Sequence, residues 1–205
     1  MSSEIVRGAL AAAKAKATFR IYSPTCTVKC DGLPMFRSQT ARDLACLLDI
    51  NPSVVTWICM PQAIVVGDQP FVADFLAQNE DGERWLFDAP DRRSDERYGG
   101  IAEAARENSL RYRKVLPDEL YDGHRLRNAK DLLRYGNHQP ALGDRIRLLA
   151  ALDEQGSLTV SDALNTIRES NPVASLASMI LHGFLEVDLD SAPIGPETVV
   201  RRIRR

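Results

Sequence analysis

The chain is poor in the residues that build metal centres and nucleophilic sites. Its three histidines, His124, His138 and His182, lie in separate segments and not at the spacing of metal ligands. It also has no glycine-rich phosphate loop, no nucleophile elbow and no His/Cys dyad. These absences argue against common zinc sites, P-loop nucleotide enzymes and hydrolases that use a serine or cysteine nucleophile.

Cysteine is also scarce. The four cysteines are Cys26, Cys30, Cys46 and Cys59, and CTVKC is the only closely spaced pair. No second pair and no histidine follows at zinc-ligand spacing. The apolar surroundings of Cys46 and Cys59 predict buried thiols, and the whole pattern predicts a protein of the reducing cytoplasm.

Long apolar runs are missing, so the sequence predicts no membrane span and no secretory leader. The composition is 44% hydrophobic and 26% charged, which is ordinary for a globular protein. A length of 205 residues allows one sizeable domain, or a medium and a small one.

Charge is unevenly distributed along the chain although the net charge is only −2. Basic residues dominate 1–42, acids dominate 43–90, and 91–134 is again basic. An acidic centre between basic flanks is typical of a metal-dependent nucleic-acid enzyme or its descendant.

Hydrophobic periodicity predicts an α/β fold for the first two thirds of the chain. A helical stripe in TARDLACLLDI is followed by extended segments, VVTWICMPQAIVV, PFVADFLAQ and ERWLFDA, with a turn at NEDG. A helix in GGIAEAARENS, a strand in LRYRKVL and a helix in HRLRNAKDLLRYG come next.

The pattern changes near Pro140. Three helices are predicted in ALGDRIRLLAALDEQ, VSDALNTIRES and PVASLASMILHG, before a β-hairpin around Pro193–Pro196. That order predicts a winged helix-turn-helix. The predicted organisation is therefore a basic N-terminal arm over 1–35, a domain over 36–139 and a winged-helix domain over 140–205.

The element order over residues 36–136 resembles the restriction-endonuclease-like PD-(D/E)XK fold, and more narrowly the TnsA-type transposon endonucleases. The resemblance rests on RDLACLLDINPSVVTW, on Pro61-Gln62, on Ala73-Asp74-Phe75, and on the strand, loop and Asn-containing helix from Leu110 to Gly136. It implies a mixed sheet flanked by helices, with a winged-helix tail.

The resemblance also implies where the chemistry lies. Such enzymes hold Mg²⁺ with carboxylates and use a lysine to orient the attacking water. Asp74 matches the first metal ligand, and Asp88 the second acidic position. Pro90 stands where the lysine belongs, and Ala41 where the helix supplies a glutamate. The resemblance therefore implies a remnant site with no cofactor, or Mg²⁺ on Asp74 and Asp88 if the protein is active.

Other residues offer substitutes at different spacings. Arg92 or Arg84 could replace the lysine, and Asp43 or Asp91 could supply a second oxygen ligand. The alternative for Asp74 is an ordinary polar residue at a strand end, and for Asp88 a turn residue before proline.

Basic side chains suggest a nucleic-acid surface. Alternation places Arg111 and Arg113 on one strand face, and helical spacing aligns three residues of the following helix. The predicted DNA-contacting residues are Arg111, Arg113, Lys114, Arg127, Lys130, Arg134, Arg201 and Arg202, with Arg204 and Arg205 at the end of the wing. The last predicted helix offers only Ser175, Ser178 and His182 for reading bases, which is a poor set.

The sequence favours a DNA-binding protein with a degenerate nuclease-like core, serving as a subunit or regulator of a mobile element. Its expected partners are double-stranded DNA and a transposase or other protein subunit, with no membrane. One alternative is an active Mg²⁺-dependent endonuclease with a rearranged site. Another is a protein-interaction scaffold.

Overall fold

The computed structural model describes residues 3–17, 21–93 and 100–203, which form two compact units. The first unit contains 1–25 and 29–121, and the second contains 26–28 and 122–205. The division therefore falls between Tyr121 and Asp122, before the helix that the sequence assigned to the first domain, and earlier than the expected boundary near residue 139.

The first unit is an α/β structure with a mixed sheet flanked by helices. Its sheet has the order β1-β4-β5-β6, in which only β5 and β6 are parallel, and β2 and β3 form a separate antiparallel pair. Its elements are α1 (Ser3–Ala17), α2 (Gln39–Ile50), β1 (Val54–Cys59), β2 (Ile64–Val66), β3 (Gln69–Phe71), β4 (Phe75–Asn79), β5 (Arg84–Asp88), α3 (Ile101–Glu107), β6 (Arg111–Lys114) and α4 (Pro117–Tyr121).

Local chemistry explains the two elements nearest the site. Ser38 caps α2 because its hydroxyl accepts the N–H of Ala41 at 3.1 Å, and the helix ends before Asn51-Pro52. The hairpin of β4 and β5 turns through Gly82, whose positive φ of 79° suits glycine. This hairpin aligns Phe75 with Phe87 and so places the residues just before β4 beside the end of β5.

The core of the first unit lies on both sides of the sheet. Trp57 and Phe75 pack edge to face with their centroids 5.5 Å apart, and Phe36 joins them. Helix α1 occupies part of the segment expected to be a basic arm. Its apolar side packs with Met60, Ala63 and Val72, which explains why a helix forms there.

The described part of the second unit contains four helices and a small antiparallel sheet of order β7-β9-β8. Its elements are α5 (Arg125–Leu133), α6 (Leu142–Gln155), β7 (Leu158–Thr159), α7 (Val160–Thr166), α8 (Pro172–Leu181), β8 (Leu185–Val187) and β9 (Val199–Arg202). Buried residues including Leu148, Leu152, Met179 and Val200 form its core.

Within the described residues, no helix has the length and apolar character needed to cross a membrane. Arg204 and Arg205, two of the predicted phosphate contacts, lie outside the described residues.

Candidate functional site: a carboxylate pair held by arginines

The hairpin brings Asp74 and Asp88 together at one end of the sheet. Asp74 immediately precedes β4 and Asp88 ends β5, and the Asp74 N–H donates to the Asp88 Oδ1 at 2.9 Å. Both residues are buried, with 3% and 0% of their surface exposed. The two aspartates that the resemblance singles out therefore lie side by side in the structure. Their surroundings, however, differ from those of a metal site.

Two arginines hold the Asp74 carboxylate. Arg37 forms a bidentate ion pair with it, through Nε to Oδ1 at 2.9 Å and Nη2 to Oδ2 at 3.0 Å. Arg92 donates to Oδ1 at 3.1 Å, and the backbone N–H of Ala89 donates to Oδ2 at 3.0 Å. Both oxygens of Asp74 thus accept two hydrogen bonds each, which satisfies a carboxylate.

Each oxygen of the Asp88 carboxylate also has a hydrogen-bond partner within the protein. Its Oδ2 accepts the hydroxyl of Tyr112 at 3.0 Å, and Arg92 Nη1 lies 3.8 Å from its Oδ1. Burial raises the pKa of Asp88; the charge of Arg92 opposes this shift and the charge of Asp74 adds to it. A buried carboxyl group with a raised pKa is ionised less readily, and a cation binds only the ionised form well.

Asp91 joins the cluster through Arg37, which donates to it at 2.7 and 3.1 Å. Burial would raise the pKa of Asp91, but the hydrogen bonds from Arg37 and Ser38 and the charge of Arg37 together lower it. Arg37 therefore bridges two carboxylates and occupies the position between them that a shared cation would take.

Two arginines are candidate substitutes for the missing lysine, and only one of them reaches the site. Arg92 contacts Asp74 directly, whereas Arg84 lies at the opposite end of β5, paired with Gln78. Arg84 is four residue steps along the strand from Asp88, which is about 13 Å. Pro90 follows β5 and has no side-chain nitrogen, so the position expected to carry the lysine cannot serve as a donor.

The other positions show why the site differs from the expected one. Ala41 is buried in α2, and its methyl side chain offers no oxygen ligand at the position expected to carry a glutamate. Asp43 accepts a hydrogen bond from Gln39 at 2.6 Å. Lys114 donates to the backbone carbonyl of Arg92 at 2.7 Å and so supports the loop that carries Arg92.

A divalent metal does not fit the residues that are present. Mg²⁺ binds oxygen ligands at about 2.0–2.1 Å in octahedral geometry, and here guanidinium groups occupy the directions from which it would bind Asp74. Among the described residues, no cluster of three or more His, Cys, Asp or Glu side chains is arranged to hold a metal ion.

The predicted DNA-contacting residues fall in two groups. Arg111, Arg113 and Lys114 lie on β6 of the first unit, whereas Arg127 and Lys130 lie on α5 of the second and Arg134 directly follows that helix. Arg111 pairs with Glu83 and lies over the ring of Trp85, with 5.1 Å to its centroid, and Arg113 pairs with Glu119. Acids on the first unit therefore offset much of the charge of β6.

On the second unit, Arg127 on α5 and Arg134 directly after this helix are exposed, and Arg134 pairs with Asp131 at 3.4 Å. Lys130 is half-buried between them. Arg201 and Arg202 are exposed on β9, where Arg202 pairs with Asp153.

Helix α8 does not offer its serines to a ligand. Ser175 is 0% exposed and contacts Ser170 and His138, and Ser178 is 1% exposed and donates to the carbonyl of His138 at 2.7 Å. Helix α5 packs against α8. Ser175 and Ser178 are therefore not available to read bases, and of the three residues named for that role only His182 is exposed.

Sequence reasoning missed Arg37 as a member of the site. It lies just before the N-cap of α2, far from the hairpin in sequence, and no short motif connects it to Asp74. Its position directly before a Ser-capped helix that packs on β1 is the only available signal. Comparisons with known proteins add no assignment, since no family model matches the chain and no curated protein is significantly similar to it.

Proposed function

We propose that the chain is a DNA-binding protein with a nuclease-like core that has lost nuclease chemistry, acting as a subunit or regulator associated with a mobile element. The observation that carries the proposal is the double ion pair of Asp74 with Arg37 and Arg92. A carboxylate that matches a catalytic metal ligand in sequence is bound by cations of the protein itself.

The proposed loss of chemistry follows from what hydrolysis needs. A phosphodiester enzyme of this type requires free carboxylate oxygens and a nearby ammonium group to stabilise developing charge. Here Asp74 and Asp88 have their oxygens occupied, Ala41 contributes none, and Pro90 replaces the amine. The active endonuclease with a rearranged site is therefore the weaker proposal, because Arg92, the substitute for the lysine that reaches the site, is itself an ion-pair partner of Asp74.

For the second unit we propose a winged helix that contacts DNA through phosphates. The order of α6, α7 and α8 followed by β8 and β9 supports the winged helix. Since α8 is almost wholly buried, base reading by that helix is not part of the proposal. Exposed arginines on α5 and β9, above all Arg127 and Arg201, supply charge for sequence-independent phosphate contacts.

A protein-interaction scaffold is the second candidate, and one observation favours it. Four of the predicted DNA-contacting arginines already pair with acids: Arg111 with Glu83, Arg113 with Glu119, Arg134 with Asp131 and Arg202 with Asp153. Such pairs lower the local positive potential that phosphate binding needs. The proposed protein partner of either candidate is a transposase or another subunit.

One experiment separates the three functions. The purified chain and its Asp74→Ala variant are incubated with supercoiled plasmid in Mg²⁺ and in Mn²⁺, and DNA retention is measured in parallel over a salt series. Intact plasmid with retention that falls steeply with salt supports the DNA binder. Nicked or linear plasmid that disappears in Asp74→Ala overturns it in favour of the endonuclease, and absence of both cleavage and retention favours the scaffold.

A matched set of arginine variants tests the DNA surface. We expect Arg127→Ala to reduce the slope of log affinity against log salt by about 1, the effect of losing one phosphate contact. Arg106→Ala, which removes an exposed arginine paired with Glu103 in the first unit, serves as the control and should leave the slope unchanged.

A further inference from the structure

A small basic cavity lies in the second unit, between the loop after α5, the first turns of α6 and the end of α8. Its volume is about 240 Å³, and its lining includes His138, Arg145, His182 and Phe184. Sites for drug-sized ligands are about 300–1,000 Å³, so this cavity suits a smaller group. None of the described residues that line it is acidic, and His182 is exposed, so solvent reaches it. These features suit a small anion.

Behind the cavity, Asp144 is a buried carboxylate that the protein itself neutralises. Burial would raise the pKa of Asp144, but hydrogen bonds from Arg168, Ser170 and Arg147 hold it well below the ordinary value. Arg147 donates to its Oδ1 at 2.6 Å, and the backbone N–H groups of Arg168 and Glu169 donate to the same oxygen at 2.8 and 3.2 Å. The ionised carboxylate can only accept hydrogen bonds, and its charge is balanced on the side away from the cavity.

Three hydrogen bonds connect Asp144 to His138, and Asp144 fixes the direction of each. Ser170 donates its hydroxyl to Asp144 Oδ2 at 2.6 Å. A hydroxyl has one hydrogen, so Ser170 accepts from Ser175 at 2.8 Å, and Ser175 in turn accepts from His138 Nε2 at 2.9 Å. The network therefore assigns the Nε2–H tautomer to neutral His138, with a free lone pair on Nδ1.

The polar groups of the cavity lack protein partners. Among the described residues, nothing hydrogen-bonds or ion-pairs with His138 Nδ1, the His182 ring or the Arg145 guanidinium, and Arg145 Nε is buried as well as unpaired. The Arg145 guanidinium lies over the ring of Phe184, 4.5 Å from its centroid, which positions the charge without neutralising it. A buried donor without an acceptor costs free energy, and an anion in the cavity supplies that acceptor.

We propose that this cavity binds a hydrogen phosphate group, either inorganic phosphate or the monoester at a phosphorylated end of a nucleic acid. The O–H of the group donates to His138 Nδ1, and its other oxygens accept from Arg145 and His182. Phosphate monoesters have a pKa near 6, so part of the population carries this O–H near neutral pH. A backbone phosphodiester has no O–H to donate and is not the proposed ligand. The inference does not depend on whether the protein binds DNA.

Nuclear magnetic resonance of the histidine rings in the full chain tests the site. At about pH 8 without phosphate, where an ordinary imidazole is neutral, His138 should carry its proton on Nε2 and none on Nδ1. Inorganic phosphate is then titrated at constant ionic strength at about pH 6.5, where part of it carries an O–H. We expect saturable shifts of the His138 and His182 rings. The His124 ring should not shift, because His124 precedes α5 and does not line the cavity.

Variants of exposed and cavity residues separate binding from general charge. Arg145→Met should weaken phosphate binding about tenfold, as expected for the loss of a charge-assisted hydrogen bond. Arg168→Met makes the same change at an exposed arginine of the same unit that does not line the cavity, and it should bind as the wild type does. His182→Ala, at an exposed position, should also weaken binding. Circular dichroism checks that each variant is folded.

Two otherwise identical short duplexes, with a 5′-phosphate or a 5′-hydroxyl, separate the sources of the group. Shifts of His138 and His182 with the 5′-phosphate duplex alone assign the site to nucleic-acid ends, and shifts with inorganic phosphate show that the free ion suffices. The proposal is overturned if neither probe shifts these rings, if the 5′-hydroxyl duplex shifts them equally, if neutral His138 carries its proton on Nδ1, or if Arg145→Met and Arg168→Met bind alike. Failure of DNA retention would overturn the proposed DNA binding and leave the result with inorganic phosphate standing.

Discussion

At the scale of single residues, the defining feature is a buried aspartate, Asp74, that is neutralised by arginines of its own chain. Part of this was accessible from sequence, since strand alternation and the NEDG turn place Asp74 near Asp88. Arg37 was not accessible, because a salt bridge over 37 positions leaves no local pattern. Local rules predict neighbours within a hairpin, whereas the partner of a buried charge is set by how separate elements pack.

Loss of Arg37 should destabilise the first unit. Arg37→Met removes a bidentate partner from the buried Asp74, and Arg92 remains as the only ion-pair partner of that carboxylate among the described residues. We expect a loss of roughly 1.5–3 kcal/mol in the free energy of unfolding. Urea denaturation followed by tryptophan fluorescence measures it, because Trp57 and Trp85 are the only tryptophans and both belong to the first unit.

The charge pairing can be separated from the shape of the side chain by adding Asp74→Asn. The double variant Arg37→Met/Asp74→Asn should recover much of the lost stability, since no uncompensated carboxylate then remains buried. Arg106→Ala removes an exposed pair and should change stability by at most about 0.5 kcal/mol. Equal losses in the single and double variants would show that Arg37 acts through packing and not through Asp74.

Asp88 and Asp144 should give opposite pH dependences. Burial raises the pKa of Asp88, against the opposing charge of Arg92. Burial would also raise that of Asp144, but hydrogen bonds from Arg168, Ser170 and Arg147 hold it well below the ordinary value. A carboxyl group whose pKa is raised by folding contributes stability that is present below about pH 4 and is lost as the pH rises through the folded pKa. A carboxyl group whose pKa is lowered by folding contributes stability that is present above about pH 4 and is lost as the pH falls through the folded pKa.

The free energy of unfolding is measured at several pH values for the wild type, for Asp88→Asn and for Asp144→Asn. At each pH the wild type is compared with each variant. The advantage of wild type over Asp88→Asn should shrink as pH rises above about 4. Its advantage over Asp144→Asn should shrink as pH falls below about 4. Parallel curves for the two variants would contradict the opposite environments of the two carboxylates.

At the scale of elements, helix α8 shows which properties of a helix its own sequence predicts. Its existence and its ends were predictable, because Asn171 and Pro172 form a standard helix start and Gly183 follows the end. Its burial was also signalled, since VASLASMIL has apolar or small residues all round, and such helices lie inside proteins. The identity of the elements that pack on it, α5, α7 and β8, could not be read from α8 itself.

The serines of α8 should therefore affect stability and not DNA affinity. Ser178→Ala removes the hydrogen bond to the His138 carbonyl and should cost about 1 kcal/mol in stability. Its DNA retention should equal that of the wild type, whereas Arg127→Ala weakens retention without a comparable loss of stability. Weaker retention by a folded Ser178→Ala protein would argue that α8 does face the nucleic acid.

At the scale of the whole molecule, the second unit includes a short segment from the N-terminal part of the chain. Residues 26–28 pack with Gly136, where an added Cβ would lie 2.6 Å from the Cys26 Sγ and 3.0 Å from the Val28 Cγ1. Sequence reasoning placed these residues in an N-terminal arm over 1–35, because nothing local in CTVKC indicates a partner more than a hundred positions away.

Gly136→Ala tests this packing directly. The added methyl group clashes with a segment that is remote in sequence, and we expect a loss of about 1–3 kcal/mol in stability, as for an overpacked core. Adding Cys26→Ala removes the closest clash and should restore part of the loss, while Gly8→Ala, on an open face of α1, should leave stability unchanged or raise it by up to about 1 kcal/mol. Thermal unfolding followed by circular dichroism measures all three, because the second unit has no tryptophan. If Cys26→Ala gives no recovery while Gly136→Ala is destabilising, the strain lies elsewhere in the loop after α5 and residues 26–28 are not integral to the second unit.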